Sequence, residues 1–273
     1  MSAADAIGVF DSGVGGVSLL REIRGELPDE DLIYVADSGH APYGDRAATY
    51  IEARAFAVMG FLVAQRVKAA VVACNTVTGV AVERLRARFD LPIVAIEPAV
   101  KPAVTSTKTG IVGVLATTVT LESANVVRLL ATYAGGTNVV SQPCPGWVEL
   151  VERGETAGPA ARAAVEAYVR PLIERGADTL VLGCTHYVFL EPLIREVAGP
   201  AVAVVNPALA VARQLHRRLT AAGLRGSSAT AGRQRFYCTG DPATVGAVLT
   251  KLWGRPVVAE PLPDAPPSDR SDA

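Results

Sequence analysis

The feature that most constrains this chain is the regular alternation of short β-branched runs with amphipathic stretches. IGVF at 7–10, LIYVA at 32–36, AVVA at 70–73, IVAI at 93–96, IVGVL at 111–115, NVV at 138–140, LVL at 180–182 and AVVN at 203–206 read as strands. Their continuous apolarity needs cover on both faces, which is the signature of a parallel sheet. Between them lie helical patterns such as 46–66, where Ile51, Ala55, Val58 and Leu62 share one face at three- and four-residue spacings. The alternation therefore predicts an α/β fold with helices covering parallel strands.

The strand count exceeds what one modest sheet holds, and an internal repeat explains it. AIGVFDSG near residue 6 is echoed by IVGVLATT near residue 111, and VVACNT at 71–76 by VLGCTH at 181–186. The offsets agree, at 105 residues from Ile7 to Val112 and 110 from Cys74 to Cys184. Two similar α/β domains, with mainly parallel sheets facing each other across a cleft, are the natural reading. The first comprises 1–97 plus 208–259 and carries Cys74; the second comprises 98–207 and carries Cys184. The segment returning to the first domain holds a helix around 207–220, a Gly/Ser/Ala-rich loop at 221–233, a strand RFYC and a helix at 242–252. Residues 260–273, proline-rich and charged without apolar periodicity, read as a disordered tail.

Composition narrows the ligand. Half of the 273 residues are apolar and 19% are charged, which excludes disorder as the main state. With 26 basic residues against 27 acidic ones, there is no electrostatic footprint for nucleic acid or an anionic membrane. Aromatic residues make up only 5%, which argues against base-stacking platforms, so a small polar ligand fits better. The apolar run Phe56 to Ala64 falls far short of the roughly 20 residues that span a bilayer, and the start shows no export signal, so a cytoplasmic location is expected. The four cysteines, Cys74, Cys144, Cys184 and Cys238, show neither a disulfide framework nor paired zinc spacing. The three histidines, His40, His186 and His216, form no metal motif, so no metal is expected.

Chemistry concentrates at the repeated cysteines. Cys74 and Cys184 each stand directly after a strand and directly before a helix, where open α/β sheets bind ligands and a helix start favours an anion. A single cysteine there would read as a small buried hydrophobe. Two equivalents, each followed by hydroxyl, amide or imidazole groups (Asn75 and Thr76; Thr185 and His186), favour function. Cys144, before Pro145, and Cys238, within an apolar strand, read as structural. The first strand ends in Asp11-Ser12-Gly13, and Gly15-Gly16 follow, so the backbone can turn sharply and approach an anionic group. Ser18 breaks G-x-G-x-x-G and no P-loop lysine follows. Asp11 either orients a substrate ammonium or assists a thiol, or else caps the next helix. The loop Ala41 to Arg46 is explained by turn chemistry.

None of the four lysines, Lys68, Lys101, Lys108 and Lys251, lies in a strand-end polar cluster, so pyridoxal phosphate has no evident anchor. Two thiols on opposite walls of a cleft suit removal of a proton from carbon on one face and its return on the other, which is racemisation or epimerisation. A non-catalytic binding protein would leave the paired cysteines unexplained, and a thiol redox protein would need a Cys-x-x-Cys motif.

DSG at 11–13, PYG at 42–44, ACNT at 73–76 and GCTHY at 183–187 together resemble the glutamate racemases, in order and spacing from about residue 6 to residue 210. The resemblance implies cofactor-independent interconversion of L- and D-glutamate, supplying D-glutamate for peptidoglycan, in a two-domain homodimer of the aspartate/glutamate racemase superfamily. By motif it makes Cys74 and Cys184 the acid/base pair, with Asp11 assisting the first and His186 and Glu152, the latter from CPGWVELVE, assisting the second. Asp11, Ser12, Pro42, Tyr43, Gly44, Asn75, Thr76, Thr117, Thr120, Thr185 and His186 would bind the substrate. Ala116 stands where the family usually has glycine, and Val126 where an aromatic is common. Aspartate and hydantoin racemases would share the two-cysteine logic.

Overall fold

The computed structural model describes residues 2–226 and 230–263. Its strands are β1 (Ile7–Asp11), β2 (Leu32–Ala36), β3 (Ala69–Val72), β4 (Ile93–Ala95), β5 (Ile111–Ala116), β6 (Asn138–Pro143), β7 (Thr179–Leu182), β8 (Ala203–Val205), β9 (Gln234–Cys238) and β10 (Ala259–Pro261). They form two sheets, ordered β10-β9-β2-β1-β3-β4 and β6-β5-β7-β8, in which every pairing is parallel. Every residue of β1, β2 and β3 is buried, as continuous apolarity requires of strands covered on both faces.

The repeat is legible in the topology. β2-β1-β3-β4 and β6-β5-β7-β8 are one order written twice, and β9 and β10 extend the first sheet beyond β2. In each sheet the chain starts centrally, moves to one side and crosses back, so its direction switches between β1 and β3 and again between β5 and β7. Loops leaving the carboxyl ends at such a switch point diverge and open a crevice. Cys74 follows β3 at the first switch point and Cys184 follows β7 at the second.

Helices cover both sheets. In the helix Ala48–Ala64 the expected stripe of Ile51, Ala55, Val58 and Leu62 is fully buried, joined by Met59. Burial of each large side chain contributes about 1.5–3 kcal/mol, which outweighs the missing side-chain cap at Ala47. One buried cluster runs through both halves, joining Ile7, Val14 and Leu20 to Leu115, Trp147 and Tyr187. Among the described residues no helix is long and apolar enough to cross a membrane.

Two expectations need correction. Glu260 and Pro261, read as the start of a disordered tail, lie in β10 opposite Tyr237 and Cys238, and the Leu262 N–H donates to the Cys238 carbonyl at 2.7 Å. The remainder of that tail, 264–273, lies outside the described residues. GCTH does not open an α-helix directly: a 3-10 turn, His186–Leu190, intervenes before the helix Glu191–Ala198. Pro192 lies in that helix's first turn, where a proline's fixed φ and missing N–H are tolerated.

Candidate active site

Cys74 lies two residues past β3, at the first switch point, and is the N-cap of the helix Asn75–Arg88, with extended backbone at φ −93°. Its thiol is 5% exposed and donates to Ser12 Oγ at 3.5 Å. Burial, reinforced by the nearby Asp11 carboxyl, pushes the Cys74 thiol far above the ordinary cysteine range, so it holds its proton. Asp11, fully buried at the end of β1, accepts from Thr185 Oγ1 at 3.0 Å. Burial also raises its affinity for a proton, against the pull of His186 and the Thr185 hydrogen bond. The capping alternative for Asp11 is excluded: the helix Val17–Glu26 has Gly16 at its N-cap and no side-chain cap bond.

The second wall is built differently. Cys184 Sγ lies 3.8 Å from His186 Nδ1, and His186 Nε2 lies 2.6 Å from Glu152 Oε1. His186 is 1% exposed, and burial alone would strip its proton. The hydrogen bonds with Cys184 and Glu152 override that penalty and hold the imidazole well above its usual value, since charge-assisted bonds are roughly twice as strong as neutral ones. An imidazolium beside the Cys184 sulfur is a charge partner for a thiolate.

The glycine loop after β1 finds its anionic partner inside the protein. Glu152 Oε1 accepts from the Val14 N–H at 2.8 Å. A Cβ on Gly13 would sit 1.9 Å from that oxygen, and one on Gly15 would sit 2.2 Å from His186 Nδ1. Those two positions must be glycine because the carboxylate–imidazole pair is pressed against the loop. Beneath it, Tyr34 Oη donates to the Gly13 carbonyl at 2.6 Å.

Around the thiols stand the expected binding groups. Thr76, Thr117 and Thr120 form a hydroxyl triangle, with Thr76 Oγ1 at 3.1 Å from each partner and 2.8 Å between the other two, joining the first half to the second. Asn75 is 4% exposed, and neither its amide nitrogen nor its carbonyl oxygen has a hydrogen-bond partner among the described residues. An unpaired buried amide costs about 1–3 kcal/mol, so this side chain is a candidate for meeting a polar ligand. Gly44 accepts from the Val119 N–H at 3.3 Å, so the Pro42-Tyr43-Gly44 loop touches the second half. The Tyr43 hydroxyl is turned away, committed to Asp37, which leaves this loop's backbone as the part that can meet a substrate.

Sequence reading missed Asp37, Arg54 and Ser38. Asp37 binds Arg54 through two bonds of 2.9 and 2.8 Å and accepts from Thr239 at 2.8 Å, which anchors Tyr43 from below. Its place directly after β2, close to the strand-end place of Asp11 in β1, was the available signal. Ser38 carried no signal, because its partner Glu152 is 114 residues away. Cys144 and Cys238 are buried, as structural thiols should be, and burial raises Cys238 to about 11. Among the described residues no group of three or more His, Cys, Asp and Glu could hold a metal ion.

Two parallel sheets with a cysteine at each switch point, one near the Asp11 carboxyl and the other beside a buried histidine backed by Glu152, define the architectural class. Comparison with known proteins agrees: the chain belongs to the Asp/Glu/Hydantoin racemase family, whose model matches residues 13–215. The chain is 52% identical to the glutamate racemase of Methylococcus capsulatus over 257 residues, covering 94% of this chain and 95% of that protein. The crystal structure of glutamate racemase isoform RacE1 from Bacillus anthracis matches with a TM-score of 0.86 at 30% identity, covering 94% of this chain and 97% of that one. That of the Francisella tularensis glutamate racemase in complex with D-glutamate matches with a TM-score of 0.83 at 27% identity, covering 95% and 98%.

Proposed function

We propose that this chain interconverts L- and D-glutamate by moving protons at the α carbon between Cys74 and Cys184, without a cofactor, and so supplies D-glutamate for peptidoglycan. The observation that carries the reading is the pair of cysteines at equivalent strand ends, each with its own acid/base partners. In one direction the Cys184 thiolate takes the α proton, and the Cys74 thiol gives its proton to the opposite face of the same carbon. The sulfur charge thereby passes from Cys184 to Cys74, and the substrate leaves inverted; the reverse reaction runs the same steps backward. The barrier is a carbanion beside a carboxylate. Asn75, with two unpaired amide atoms, and the Thr76, Thr117, Thr120 and Thr185 hydroxyls are the groups available to stabilise that developing charge.

Glutamate as the substrate is supported by the names of the curated relatives and by the D-glutamate complex of the Francisella tularensis protein. The homodimer, the cytoplasmic location and the division into 1–97 plus 208–259 and 98–207 belong to the same reading. The test is to incubate the protein with L-glutamate, and separately D-glutamate, in heavy water without added cofactor. Optical rotation should decay to zero from both sides as deuterium enters the α position. Exchange with aspartate or a hydantoin but not glutamate would keep the thiol chemistry and overturn the substrate. No exchange with any of them would favour a binding protein.

A further inference from the structure

Glu152 sits on the second half of the molecule, at the end of the helix Trp147–Glu152, yet two of its hydrogen-bond donors come from the first half. The Val14 N–H reaches Oε1 at 2.8 Å, and Ser38 Oγ reaches Oε2 at 2.9 Å from the turn that follows β2. Oε1 also faces His186 Nε2 at 2.6 Å. With one oxygen pinned by Ser38 and the other shared by Val14 and His186, the carboxylate plane is fixed. Both pins belong to the opposite half, so the carboxylate is held across the seam between the two halves.

We propose that Ser38 is a positioning residue that supports proton handling at Cys184 from the opposite half of the molecule, by holding Glu152 in line with His186. This rests on the two-thiol reading above. Among the described residues, Ser38 is the only first-half side chain that donates to Glu152. The groups facing His186 are Glu152, Cys184, the Asp11 carboxyl 3.9 Å away on β1 and the Thr185 hydroxyl at 3.5 Å. Tyr34 faces Asp11 and Glu152 from below as a neutral phenol, its proton held by burial. Without the Ser38 hydroxyl, Glu152 is free to swing off the imidazole axis, and the cation beside Cys184 loses its best-aligned partner.

The test compares Ser38→Ala with Ser38→Thr. For Ser38→Ala, kcat/KM should fall about tenfold, the size of one lost hydrogen bond. The limb of the pH profile set by His186 should move down by about one unit. The α-deuterium isotope effect should rise only for the enantiomer deprotonated by Cys184, and Ser38→Thr, which keeps the hydroxyl, should restore all three. An alanine profile that superimposes on the parent, or alanine and threonine variants equally impaired, overturns the proposal. If the parent protein exchanges no α proton of glutamate, the functional reading fails, but Ser38 is still tested. Nitrogen NMR titration of the His186 ring without substrate should give a lower midpoint in the alanine variant only, and an unchanged midpoint overturns the assignment.

Discussion

Cys74 and Cys184 occupy the same place in two copies of one topology, and their surroundings have opposite electrical character. Cys74 caps an α-helix but faces Asp11, and burial leaves it a protonated thiol hydrogen-bonded to Ser12. Cys184 is followed by a 3-10 turn of five residues instead, and a buried imidazole backed by Glu152 stands beside its sulfur. Under the proposed mechanism, the difference is what would let a duplicated scaffold work as a proton shuttle. Two identical thiols would both be acids or both be bases at rest, whereas a neutral donor opposite a cation-supported sulfur gives the proton a place to leave from and a place to go.

The most severe way to break the comparison is to remove either thiol. Cys74→Ser and Cys184→Ser should each lower racemisation by about 10²–10⁴-fold, followed by optical rotation. A single variant with full activity would sink the two-thiol mechanism.

Next is displacement of the cation. In Gly15→Ala the new methyl would lie 2.2 Å from His186 Nδ1. Misplacement of about an ångström costs up to about 10²-fold in rate. Thermal unfolding should show a loss of about 1–3 kcal/mol from overpacking. Parent-like kinetics would mean the His186 position is not what matters.

Removing the charge but not the shape sharpens the comparison further. Glu152→Gln should lower kcat by a few tens-fold. It should also change the pH dependence of stability in a defined direction. His186 is held above its ordinary 6.5 in the fold, so its contribution is fully present below that value and is lost as pH rises through the raised one. Denaturant unfolding from pH 6 upward should therefore show a shallower decline in the variant. An equal slope would show that Glu152 is not the group supporting the imidazolium.

The smallest effect belongs to the shared floor of the site. Asn75→Ala should raise KM about tenfold while leaving stability unchanged or slightly higher, because it removes two buried polar atoms with no partner in the protein. A clear loss of stability with unchanged KM would make Asn75 structural.

Much of this was legible in the sequence, for a physical reason. Alternating apolar runs dictate parallel strands under helices, and the repeated AIGVFDSG and VVACNT segments placed a cysteine at the same strand end twice. A thiol's place in the chain relative to its strand is local information, and so is the polar character of the residues beside it. What local information could not supply was contact across the interface. Glycines at 13 and 15 looked like preparation for a ligand's anion, but they are required because Glu152 and His186, from the other half, press against them. Tyr43 was legible as a candidate contact, but the bond of its hydroxyl to Asp37 was not, and neither was the 3-10 turn, His186–Leu190, that follows GCT. The sequence by itself determined two like sheets and two like thiols. Only the tertiary structure decided that the thiols are unlike, because a proton's affinity for sulfur depends on burial and on charges a few ångströms away, most of which arrive from distant parts of the chain.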